Sequence, residues 1–295
     1  MDGMISWSAY HADAHQAVIP PAAINSLLPL FLDNAHSVAM VRHSMDIVRA
    51  AVQNVNPGQI PVLAADQPLY ALAKEIQWTW PATHGEDHFV IMFGGLHIEM
   101  ATLKLLGDWL EDSGWTNALV QAGIASLGTS KSYINVSHFT KTRHAHQVTA
   151  ARLYSLLQQA YTKDCTSDDI DEMQSDSVPF EEWCIQRAKT TVHFDYWLKT
   201  LSLELLMLRY IRSLREGNFQ LYVESLTQIM PWMFSLGHTH YSRWLSVHIS
   251  DMITLAKKHP DVLAEFMQEI LWCTKPATNS LAWHLTSVTS RTMQR

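Results

Sequence analysis

IPVLAADQPLYALAKEIQW (60–78) and FVIMFGGLHIEMATLKLLGDWL (89–110) decide the fold. Each reads as a short apolar strand that breaks into a helix. The runs 60–65 and 89–93 are apolar throughout, as strands are when both faces of their sheet are covered. The segments after these runs carry apolar residues at helical spacing, and Pro68 falls in a first turn, where its missing N–H costs little. Two strands joined through a helix run parallel, with a right-handed crossover. The expected fold is an α/β core on a short parallel sheet, followed by a mainly α-helical region.

Upstream, Ser37 reads as the N-cap for SVAMVRHSMDIVRAAVQNV, which keeps Val38, Val41, Met45, Val48 and Val52 on one face. Asn56-Pro57-Gly58 ends that helix as a turn. Earlier still, ISWSAYHA (5–12) reads as a strand or ordered arm, and Pro20, Pro21 and Pro29 punctuate the segment between it and the helix. Downstream of Asp112 strand signals fade, and helices are expected near 116–126, 143–162, 180–190, 193–215, 218–235, 239–258 and 261–271. The acidic run TSDDIDEMQSDSVP (166–179) reads as a linker or exposed loop. The expected organisation is an N-terminal arm and helix (1–54), the α/β core (55–125), a helical region (126–270) and an atypical tail (271–295).

Composition narrows the classes. The 295 residues are 47% hydrophobic and 17% charged, which is too apolar for disorder. Eleven tryptophans imply an aromatic-rich core, with Trp78, Trp80, Trp109 and Trp115 the first candidates. A net charge of −7 provides no global footprint for nucleic acid, although local basic patches are compatible with it. Cys165, Cys184 and Cys273 are far apart and in no CxxC pairing, which points to a reducing compartment and away from disulfides or a zinc site. The first residues show no signal peptide, and no apolar run nears the roughly 20 residues that span a bilayer. The expected location is intracellular, nuclear or cytoplasmic, with no membrane partner.

Candidate chemistry gathers at the strand ends, where open α/β sheets hold ligands. Asp66 ends the first strand. It is either a metal-binding or general-base carboxylate, or the N-cap of the helix that starts at Gln67. Gly94, Gly95 and His97 form the second strand-to-helix turn. They either bring backbone close to a phosphate or simply serve a turn that needs glycine; GGLH has neither dinucleotide nor P-loop spacing. His240, Arg243, Trp244 and His248 fit one helical face, which reads as a phosphate-contacting patch or a partly buried polar face. Lys141, Arg143 and His144 make a small basic run, and Arg209, Arg212 and Arg215 a basic stripe. Both read as solvated faces or as nucleic-acid contacts. No HExxH or Cys/His signature accompanies the 16 histidines, so no metal ligand is assigned.

ISWSAYHA, NPGQIPV, DQPLYALAKEIQW, MFGGLHIEMATLKLLGDWLEDSGW, TRHAHQVTA, LRYIRSLREGNF and HTHYSRWLSVHISDM together resemble a multi-copy animal protein family. Its members look like products of mobile elements, and the resemblance covers about residues 5–270. The order strand, Asp, helix, strand, long helical insertion is also similar to DDE transposases with an RNase H-like core. That similarity implies a partial RNase H-like fold, with Asp66 as the second of three metal-holding acids and Mg2+ as cofactor for two-metal phosphodiester chemistry. No strand before Ile60 offers the first acid. The last should lie on a helix beyond residue 270, where the family continues with an Asp-Gln-x-His-Glu-Gln-x-Asn motif. Here the chain reads LWCTKPATNSLAWHLTSVTSRTMQR (271–295) instead. Permitted codons for Trp272 to Arg295, read two bases later, can spell VHKTSHKFSGMASDQCHEQDNAE. The hypothesis is a frameshifted tail, and a nucleotide sequence without that motif in that frame ends it.

These readings lead to a mobile-element-derived fragment of RNase H-like DDE ancestry, inactive as it stands, with no cofactor unless the DDE reading brings Mg2+. Its DNA contacts would come from Arg143, His144, Arg243 and His248. The alternative is a non-enzymatic intracellular interaction or scaffold protein, with protein partners. A helical His-based metal binder is the third reading.

Overall fold

The computed structural model describes residues 37–168, 178–267 and 282–285, and these form a mainly helical protein with a small parallel sheet. The proposed N-terminal strand, most of the acidic segment and most of the tail lie outside the described residues.

Helix α1 (Val38–Val55) starts where the cap requires, with the Ser37 side chain accepting from the Met40 N–H at 3.2 Å. Val41, Met45, Val48 and Val52 are its buried face. Strand β1 (Val62–Ala65) pairs in parallel with β2 (Val90–Phe93), Val62 opposite Val90 and Ala65 opposite Phe93. Pro61 has no N–H for the ladder, and only its carbonyl is used, accepting from the Val90 N–H at 3.0 Å. Helix α2 (Gln67–Thr79) and the single turn α3 (Pro81–His84) make the crossover. The backbone of β3 (Ala282–Leu285) pairs in parallel with the other edge of β1, giving the order β2-β1-β3.

The remaining helices are α4 (Gly95–Leu110), α5 (Trp115–Gln121), α6 (Leu127–Ile134), α7 (Phe139–Asp168), α8 (Phe180–Thr190), α9 (Val192–Glu216), α10 (Phe219–Ser235), α11 (Thr239–Lys258) and α12 (Pro260–Met267). The contacts divide the chain into two compact units, one of residues 1–99 with 209–295 and one of residues 100–208.

In the first unit α2 packs on β1 and β2, α1 packs on α2, and α11 packs on both α2 and β2. The core is aromatic: Tyr70 stacks on Phe93 at 4.9 Å, Phe93 on Tyr241 at 5.6 Å, and Phe219 on Phe266 at 5.3 Å. In the second unit Leu110, Trp115, Leu119, Tyr133 and Ala145 form the core, with Trp109 and Trp197 packed against it. Gly107 lets α4 approach the backbone of Ile134, where any Cβ would collide. Of the tryptophans expected in the core, Trp115 is buried but Trp78 is 54% exposed, lying against Trp244 at the surface. Helix α6 was not expected from LGTSKSYI, although Ser126 caps it, accepting from the Thr129 N–H at 3.4 Å.

Candidate functional site

At the carboxyl end of the sheet, β1 stops at Ala65 and Asp66 turns the chain into α2. Its Oδ1 accepts from the Leu69 N–H at 3.1 Å, so the carboxylate satisfies one of the free donors of the helix start. The neighbouring turn is set by close packing. The Gly94 N–H donates to the Ala65 carbonyl at 2.7 Å, and a Cβ on Gly94 would sit 2.9 Å from that oxygen. A Cβ on Gly95 would press on Leu214 at 3.2 Å, while the Gly95 carbonyl accepts from the Tyr210 hydroxyl at 2.9 Å. Neither glycine has a positive φ, so proximity rather than backbone freedom requires them. His97 is half-buried in the first turn of α4. Burial and the charge of Asp66 raise the Tyr241 phenol beside this turn. Among the described residues no group of three His, Cys, Asp or Glu side chains is gathered as a metal-binding set.

A denser polar cluster lies ahead of β2. Lys74 is 1% exposed, and its Nζ stands 2.9 Å from Glu86 Oε1 and 2.9 Å from Asp251 Oδ2. Lys258 holds the other oxygen of Glu86, and His259 Nε2 lies 2.6 Å from the Glu86 carbonyl. The small pocket beside them, about 20 Å³, has room for one water. Burial would raise Glu86, but hydrogen bonds from Lys258 and Lys74 outweigh it and hold the carboxyl at about 2. Burial keeps Asp251 above the usual carboxylate range despite Lys74. A buried ammonium balanced by two carboxylates ties α2, the loop before β2 and α11 together.

His248 is next to this cluster and fully buried, with Nε2 sharing a 2.7 Å hydrogen bond with the Tyr222 hydroxyl. Burial, aided by the Lys74 charge, lowers its pKa to about 3, so the imidazole is neutral. Arg243, on the same helix, is exposed. The expected phosphate-contacting face therefore loses His248, which sits in the core and presents no surface to an anion. Arg209 and Arg212 of the basic stripe meet Glu224 and Glu216 at 3.7 and 2.8 Å.

Arg143 and His144 belong to the second unit. The Arg143 guanidinium lies over the Phe139 ring at 4.5 Å, while Lys141 and His144 are exposed. Deeper in that unit, His146 Nδ1 and Glu204 Oε1 are 2.8 Å apart with neither side chain exposed, and Trp115 stacks on the imidazole at 4.8 Å. Burial raises Glu204, and His146 opposes the shift. Between α7 and α9 runs an apolar groove of about 420 Å³, walled by Leu153, Leu156, Leu157, Phe194 and Trp197, with Leu201 among its lining residues.

Two of these clusters escape a reading by short-range spacing. Lys74 and Glu86 are separated by 12 residues, His146 and Glu204 by 58. One signal was present: Lys74 interrupts the buried stripe of Tyr70, Ala73 and Gln77, a place where lysine survives only with partners.

A family model described as a domain of unknown function matches residues 6–181 and, overlapping, 151–287. No curated protein and no solved structure matches the chain.

Proposed function

The chain belongs to the DUF8702 family, and from its own geometry we propose that it is a non-enzymatic interaction protein whose second unit receives an amphipathic helix of a partner protein. The groove between α7 and α9 carries this reading. Its walls hold apolar residues at helical spacing over two turns, the dimension at which a docked helix places i, i+4 and i+7 anchors. Leu156 is 44% exposed and Leu201 only 4%, so the groove has a wet rim and a dry floor. Covering a half-exposed leucine contributes roughly 1 kcal/mol, and several act together along such a groove. Arg152, one turn before Leu156, is exposed and has no ion-pair partner among the described residues. A partner helix with leucines on one face and glutamates beside them complements both features.

Calorimetric titration of the full chain with such a leucine–glutamate helical peptide tests the proposal. Saturable binding is expected, weakened by Leu156→Glu and by Arg152→Glu and absent for a scrambled peptide. Equal heats from the scrambled peptide, or affinity indifferent to Leu156→Glu, oppose it.

The second reading is RNase H-like mobile-element ancestry. What favours it is the position of Asp66 at the carboxyl end of β1, the central strand of a parallel sheet. On that reading Mg2+ would be held at Asp66, and DNA would meet Arg143, His144 and Arg243. Copies of the gene flanked by inverted repeats support it, and a single-copy gene with an intact frame through its tail opposes it.

A further inference from the structure

We propose that the cleft between the α6 start and the α7 start binds a small organic phosphate, a site separate from the apolar groove. Its volume is about 550 Å³, within the range of small-molecule sites. Unlike the groove, its lining combines the Lys141 ammonium and the His144 imidazole with the hydroxyls of Ser126, Thr129 and Thr140. No carboxylate lines it, and neither Lys141 nor His144 has an ion-pair partner among the described residues. An exposed lysine beside an acid would be neutralised locally; here the charge of Lys141 is left for a ligand.

Hydroxyls from both helix starts line the cleft. Ser126 Oγ and Thr129 Oγ1 are 2.8 Å apart, so one O–H lies between them and the other is free to rotate toward a ligand. Thr140 adds a third hydroxyl from the opposite wall. Hydroxyls from both helix starts, with Lys141 among the lining residues, suit an oxyanion with several acceptor oxygens, because charge-assisted hydrogen bonds are about twice as strong as neutral ones. Ile124, Ala125 and Tyr133 complete the lining with apolar surface, where the organic part of the ligand would lie. Ile124 and Ala125 are half-buried against the unit's core, which keeps this wall rigid.

The test is titration of the full chain with phenyl phosphate, inorganic phosphate and phenol, read through backbone amide shifts. Phenyl phosphate should move amides within 124–129 and 140–144 saturably and bind more tightly than inorganic phosphate, while phenol leaves them unmoved. Lys141→Met should weaken phenyl phosphate about tenfold, the order expected for one charged hydrogen bond, and Lys141→Arg should retain most of the affinity. Lys141 is exposed, so both variants keep the fold. Shifts confined to other residues, affinity unchanged by Lys141→Met, or equal affinity for inorganic phosphate would each overturn the proposal.

Discussion

His248 and Arg243 belong to one helix, α11, yet only one of them meets solvent. The buried imidazole is neutral because the fold removes its water and sets it near the Lys74 ammonium. The consequence for stability has a definite sign. An unfolded chain binds a proton at this histidine below about pH 6.5, its ordinary value, whereas the folded chain refuses it until about pH 3. Stability from this group is therefore complete above pH 6.5 and falls as pH drops toward 3, by at most about 1.4 kcal/mol per pH unit for one proton. His84, also lowered, with burial the largest cause, adds in the same direction. Urea unfolding at pH 5 to 7 should show this slope, and His248→Gln should reduce it while His84 remains. A variant with the undiminished slope would mean that His248 is protonated in the fold. Histidine count and spacing were visible in the sequence; which imidazole is dry was not, since Tyr222 and Lys74 arrive from distant segments.

At the scale of elements, local chemistry was legible where each helix carried its own start signal. Ser37 and Asp66 cap α1 and α2, and the Val41, Met45, Val48 and Val52 face of α1 is buried as its period requires. The start of α6 carried Ser126 as well, but glycine and serine inside LGTSKSYI weaken the helical pattern until tertiary packing of Tyr133 decides it. Asp66 yields the sharpest test at this scale. If its carboxylate serves α2 as a cap, Asp66→Asn should be nearly neutral, and Asp66→Ala should cost about 1 kcal/mol in thermal or urea unfolding. If instead Asp66→Asn is as destabilising as Asp66→Ala, the cap account fails.

For the whole molecule, what matters is which distant segments share a core. The sheet-bearing unit unites residues 1–99 with 209–295, so β2 and α2 depend on helices encoded far downstream. Phe93 packs on Tyr241 and His248, and Lys74 requires Asp251. A chain ending at residue 208 loses all of these. Its Val62–Ala65 and Val90–Phe93 amides should lose slow hydrogen exchange, and its melt should lose cooperativity. Native-like protection in those strands would show that the downstream helices are dispensable. Membrane spanning belongs to this scale too: no helix among the described residues is long and apolar enough to cross a bilayer.

The sequence by itself determined the two strands, their parallel sense, the Ser37 cap and most helices, because periodicity and capping act over a few residues. Only the tertiary structure decided that Trp78 is exposed, that His248 is dry, and that Lys74 is balanced by Glu86 and Asp251. The same holds for the groove and the cleft of the second unit, whose walls come from separate helices. Burial and charge balance depend on what packs against a residue in space, and short-range spacing along the chain does not carry that information.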